Sequence, residues 1–213
     1  MKTDAAIIGL IVVNVGVELA LSAADAGLVG SPRWRSVVYQ NGAFWAGLLR
    51  DWRPNYAAQP WTMFLSYAVL HGGLVHLTGN MLVLWGLGRI LRLRLGTAGF
   101  FTVYLLSAIG GALCFGLLSR SPQPMVGASG ALFGLVGAWQ YWRWSALRRA
   151  GRSRAAVWKT IAWLAGLNAL FWVLLGGLLA WQTHLGGFMT GWIVAAILAR
   201  PLTGPRHRRS GRP

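Results

Sequence analysis

Read from the amino terminus, apolar residues fall into long blocks with few polar interruptions, and these blocks organise the chain. Six are candidate membrane-crossing helices, at approximately residues 5–24, 64–88, 98–118, 127–146, 156–179 and 183–200. A helix needs roughly 20 mostly apolar residues to traverse the hydrocarbon core, and each block is close to or above that length. Lipid offers no partner to a free backbone N–H or C=O, and the alternating pattern of a membrane barrel is absent. The expected fold is therefore all-α: one polytopic bundle of six transmembrane helices over residues 1–203. Residues 25–63 form one long connection, and residues 204–213 read as a basic cytoplasmic tail without fixed structure.

Composition supports a lipid solvent. Hydrophobic residues make up 55% of the 213 positions and charged ones 11%, too few to give a water-soluble domain of this size a polar surface. The net charge of +16 raises the question of nucleic acid, but its distribution answers it. Lys2, Arg89, Arg92, Arg94, the six cations from Arg143 to Lys159 and the five from Arg200 to Arg212 all fall on one side of a six-span topology. Only Arg33, Arg35, Arg50, Arg53 and Arg120 fall on the other. This is the positive-inside asymmetry, which places both termini in the cytoplasm, as expected for a cell (inner) membrane protein, and assigns the cations to lipid headgroups. No nucleic-acid partner is expected.

The start of the chain imitates a cleavable signal, with Lys2, an apolar run and then Ser22-Ala23-Ala24-Asp25-Ala26. Asn14 and Glu18, four apart on one helical face, argue for a retained first span whose polar side chains face protein or water. The outer connection carries Trp34, Trp45, Trp52 and Trp61 with Pro32, Pro54 and Pro60, a composition suited to short amphipathic helices in the headgroup layer. Cys114, the single cysteine, supports no disulfide framework and reads as a small core residue.

Polar groups inside spans are costly, so each is a candidate site. The second block opens with His71-Gly72-Gly73-Leu74-Val75-His76 and continues to Asn80; the fourth opens with Gly127-Ala128-Ser129-Gly130; the sixth opens with Gln182-Thr183-His184. Blocks two, four and six run in the same direction, so these openings share one leaflet. At about 100° per residue, His76 and Asn80 lie about 40° apart and share a face, whereas His71 lies about 140° from His76 and is expected outside their site. Gly127, Gly130, Gly134 and Gly137 share a face of the fourth helix, and His184, Gly187 and Gly191 a face of the sixth. Small faces let helices touch in lipid, which would bring Ser129 near His184.

No Asp or Glu follows Asp51, so a carboxylate-oriented triad within the later spans is ruled out, leaving a Ser-His dyad. The serine needs an adjacent base, His184, and an oxyanion needs donors, which His76, Asn80 and the Ser129 N–H could supply. A zinc site of His71, His76 and His184 is disfavoured by the same 140° offset and by the lack of an HExxH pattern.

These residues carry a resemblance to the rhomboid family of intramembrane serine proteases. HxxxxHxxxN matches His71, His76 and Asn80; GxSG matches Gly127, Ser129 and Gly130; HxxGxxxG matches His184, Gly187 and Gly191. The resemblance implies Ser129 as nucleophile, His184 as general base and acid, His76 and Asn80 as oxyanion stabilisers, and His71 as a structural residue of the cavity. It implies cleavage of transmembrane helices of membrane-protein substrates near the outer face, with no metal or organic cofactor. Three positions depart from the family pattern: Trp61-Thr62 stands for Trp-Arg, Arg92 for a glutamate, and Phe133 for a tyrosine that stacks on the histidine. The alternative is an inactive rhomboid-like protein that binds client helices; it predicts loss of the serine or the histidine, and both are present.

Overall fold

The computed structural model of the protein describes residues 4–199; Lys2 and the expected tail at 204–213 lie outside the described residues. The elements are α1 (Ala5–Asp25), α2 (Trp34–Gly42), α3 (Gln59–Ser66), α4 (Leu74–Val83), α5 (Arg89–Leu118), α6 (Ser129–Arg149), α7 (Ala155–Leu174) and α8 (Trp181–Leu198). Short 3₁₀ turns occupy Ala46–Leu49 and Tyr67–Val69, and π-helical residues Leu84–Gly88 join α4 to α5. Three stretches, Ala5–Asp25, Leu74–Leu118 and Ala155–Leu174, are long and apolar enough to cross a membrane. The protein is thus an all-helical integral membrane protein.

The stretch Leu74–Leu118 has 45 residues and would be about 68 Å long if straight, more than twice the hydrocarbon thickness. It is not straight. Gly96 leaves helical geometry at φ +71, a conformation that glycine adopts without a Cβ penalty. A Cβ on Gly88 would stand 3.5 Å from Phe100, although twelve helical residues would separate the two by about 18 Å. The chain therefore reverses at Gly96, and the arginines expected between the second and third spans are helical.

The second block also departs from the expected continuous span. The helix α3 stops at Ser66, and residues 70–73 leave helical geometry, with Leu70 extended and Gly73 at φ +103. His71 sits in this break, so the helical-wheel offset between His71 and His76 does not apply. The fourth helix begins at Ser129, two residues later than expected, because Gly127 at φ +123 belongs to the loop.

The outer connection is tied down by polar contacts that its composition needs once it leaves water. The carboxylate of Glu18, fully buried in α1, accepts from Arg35 Nη2 at 2.8 Å and Nη1 at 3.1 Å. Arg35 also pairs with Asp25 at 2.6 Å. Bonding to Glu18 raises the Arg35 pKa further above its ordinary value, and burial raises that of Tyr39. The expectation that Glu18 faces protein is met, with Arg35 as its partner. Arg50 Nη2 caps the end of α5 by donating to the Gly116 and Ser119 carbonyls at 3.0 and 2.8 Å. Phe44 and Met125 exchange backbone hydrogen bonds of 3.0 and 2.9 Å, pinning the connection to the loop that precedes α6.

At the other end, Arg92 is buried and donates to Asp4 at 2.6 Å, with Arg89 on the second carboxylate oxygen at 2.8 Å. The position where the family pattern has an acid thus holds a base, and Asp4 supplies the opposite charge. The Arg92 hydrogen bond holds the Asp4 carboxyl below its usual range. Cations stack on tryptophans at this end, Arg94 over Trp142 at 4.7 Å and Arg148 over Trp144 at 5.4 Å.

At the centre, α5, α6 and α8 pack against one another, with α8 in close contact with both of the others. A Cβ on Gly187 would stand 2.0 Å from the Gly130 carbonyl oxygen, and one on Gly191 1.9 Å from that of Gly134. Further along the same seam the backbone of Phe188, also in α8, approaches the Gly137 Cβ site to 2.1 Å. These close contacts are what small residues allow between helices in lipid, where dispersion and not water exclusion holds helices together. By contrast, Val157 is the one buried residue of α7.

Candidate active site

Ser129 is the first residue of α6, where the first backbone N–H groups of a helix have no partner within it and the dipole is positive. The loop ahead of it is held in place: Gly127 N–H donates to Tyr67 C=O at 3.0 Å, and Tyr67 Oη donates to Ala108 C=O at 2.8 Å. His184 stands in the first turn of α8, and the glycine contacts of α6 with α8 set the distance between the two helices. His184 Nε2 lies 2.9 Å from Ser129 Oγ. Phe133, one turn after Ser129, lies face to face with the His184 ring at 4.2 Å between centroids and 8° between planes, so the stack forms without a tyrosine hydroxyl.

His76 comes from α4 on the opposite side of the serine. A Cβ on Gly127 would stand 2.8 Å from His76 Nε2 and 3.8 Å from Ser129 Oγ. Gly127 is therefore needed twice, for its positive φ and for the space that the imidazole fills. His76 Nδ1 accepts the Gly72 N–H at 3.3 Å. In the neutral ring the proton then resides on Nε2, the nitrogen beside Gly127 and Ser129, which makes it a donor there. Asn80, one turn on, donates from Nδ2 to the His76 carbonyl at 3.0 Å and has a second amide hydrogen in reserve.

His71 is fully buried, and its ring lies 5.2 Å from that of His76, edge to face. The structure thus brings together the two histidines that the wheel argument separated. Neither ring nitrogen of His71 has a protein partner; its carbonyl accepts from Arg35 Nη1 at 3.1 Å and from Tyr39 Oη, which fixes the break through the outer connection. Gly130, Gly187 and Gly191 serve helix contact, as expected from their spacing.

One polar residue at the site was not anticipated. Asn168 of α7 places Oδ1 2.5 Å from His184 Nδ1, while its Nδ2 donates to Leu164 C=O at 3.0 Å. Its signal in the sequence was the rule that a polar side chain within an apolar span marks a site. Attention to ionisable groups alone passes over an amide.

The arrangement provides a hydroxyl against an imidazole nitrogen, with a second imidazole N–H and a helix start beside it. A family model described as "Rhomboid domain" matches residues 57–201. The chain is 36% identical over 154 residues to "Rhomboid protein 1, mitochondrial" of Saccharomyces cerevisiae, over 67% of this chain and 43% of that one. It is 32% identical over 149 residues to "Rhomboid protease GluP" of Bacillus subtilis, 70% of this chain and 28% of that protein. With "Rhomboid-type serine protease 2" of Emericella nidulans the identity is 30% over 154 residues, 71% and 30% of the two chains. The aligned region thus takes in less than half the length of each of these relatives. On the family match and these relatives together, the chain belongs to the rhomboid family.

Proposed function

We propose that the protein is an intramembrane serine endopeptidase that cleaves transmembrane helices of membrane-protein substrates near the outer face of the bilayer. The observation that carries this reading is the 2.9 Å approach of Ser129 Oγ to His184 Nε2 at a helix start. Ser129 attacks the scissile carbonyl as His184 Nε2 takes its proton; the same imidazolium then protonates the leaving amine. Water hydrolyses the resulting acyl-enzyme by the same relay in reverse. His76 Nε2–H, the free Asn80 amide hydrogen and the backbone N–H of Ser129 stabilise the oxyanion, a role in which donors act most strongly as charge develops. The chain crosses the membrane six times with both termini cytoplasmic.

The test is cleavage of a membrane-anchored reporter by wild type, Ser129→Ala and His184→Ala. Wild type cuts and both variants do not, while remaining folded and inserted. Substantial activity in Ser129→Ala would remove the serine mechanism. A reporter that wild type binds but leaves uncut would replace the protease with a client-binding member of the family.

A further inference from the structure

For His184 to act as a base, its Nε2 must carry a lone pair. Neutral imidazole has one N–H, on either nitrogen, and a base needs it on Nδ1. The Asn168 amide decides this. Its Nδ2 faces the Leu164 carbonyl at 3.0 Å and its Oδ1 faces His184 Nδ1 at 2.5 Å. The reversed amide would set two oxygens against each other at Leu164, so the oxygen belongs towards the ring. An amide oxygen accepts only, hence Nδ1 donates and Nε2 is left to accept from Ser129 Oγ at 2.9 Å.

The surroundings sharpen this bond. Between α7 and the pair α6–α8 lies a cavity of about 590 Å³ lined by apolar side chains, including Leu164, Trp172, Leu185 and Phe188, with Asn168 and His184 on its wall. Phe133 fixes the plane of the imidazole by stacking; the Asn168 bond fixes its rotation within that plane. A mere packing role, in which the amide satisfies itself across two helices, would affect stability and leave the tautomer alone.

We propose that Asn168 is a positioning residue for catalysis: it selects the His184 tautomer with the proton on Nδ1 and aims Nε2 at Ser129. This rests on the protease reading above, and it makes Ser129, His184 and Asn168 a directed relay.

Two measurements on the full-length protein in detergent micelles test it. In ¹⁵N spectra of histidine-labelled protein at alkaline pH, the His184 signals, identified by their absence in His184→Ala, show a protonated Nδ1 in wild type. Asn168→Leu moves the ring towards the Nε2-protonated form. In reporter cleavage, Asn168→Leu lowers kcat by about 10- to 100-fold with little change in KM. Thermal melting checks the fold, and Asn168→Ser, too short to reach the ring, replaces a leucine variant that does not fold. A wild-type His184 protonated on Nε2, or a folded Asn168→Leu with unchanged kcat, overturns the proposal. If wild type and Ser129→Ala are equally inactive, the protease reading fails, and the tautomer spectra still decide the role of Asn168.

Discussion

The helix α8 carries the His184 imidazole and α7 touches it, yet the two helices are held in opposite ways. The helix α8 presses glycine against the backbone carbonyls of α6, with no room for a methyl group. In α7 Val157 alone is buried, a cavity separates it from α6 and α8, and Gly166 has nothing within 4 Å of its Cβ position. Ser129 and His184 thus sit on helices whose spacing is set by backbone contact, which no rotamer change can relax. What α7 contributes is one hydrogen bond. The spacing of Ser129 and His184 rests on the tight pair, whereas the loosely packed helix adds the Asn168 hydrogen bond to it.

The strongest way to break this contrast is to place a branched side chain in the tight seam. Gly191→Val must push α6 and α8 apart by moving backbone, and is expected to abolish cleavage and lower the melting temperature sharply; an active, normally stable variant would show that the seam does not set the site. His76→Ala and Asn80→Ala should each lower kcat by about 10²- to 10³-fold, as loss of an oxyanion donor does, with KM little changed. An effect confined to KM would remove them from that role.

The same substitution made on both helices sharpens the comparison further. Gly187→Ala puts a methyl 2.0 Å from the Gly130 oxygen and should destabilise by about 1–3 kcal/mol, the usual range for overpacking. Gly166→Ala meets nothing and should be neutral or stabilising by up to about 1 kcal/mol, since alanine orders a helix at lower entropic cost. Equal melting temperatures for the two variants would dissolve the distinction.

The smallest effect belongs to the rim. The Asp4 carboxyl is held below its ordinary value of 3.8 by the Arg92 bond, so its contribution is present above that pH and is lost as pH falls through the lower, folded-state value. Asp4→Asn should therefore melt slightly earlier than wild type at neutral pH, and the difference should shrink on acidification below 3.8. A gap that grew on acidification would give the pair the wrong sign.

Much of the site was legible because its residues lie at helix spacing on segments of known direction. Gly130, Gly187 and Gly191 announced a close contact, and Phe133 a stack, because one helical period relates each to its neighbour. The wheel failed at His71, where Gly72 and Gly73 let the chain leave the helix, so that two histidines five apart face one another. It failed also at Gly127, whose positive φ puts it outside the helix. Asn168 and Arg35 belong to another class. Each finds its partner through tertiary contact across separate elements, which no spacing encodes, although a lone amide in an apolar run was a visible prompt. Arg92 looked like a lost contact until Asp4, 88 residues earlier, supplied the opposite charge.

Gly96 has a consequence for how the protein is made. A single residue at φ +71 turns the chain, so the connection between the two arms holds no loop beyond the helical residues 89–94 that precede it. Residues 74–118 therefore form one helical hairpin closed by a residue that takes a left-handed turn without a Cβ penalty. A side chain at Gly96 strains that turn, so its expected effect is on how much folded protein forms.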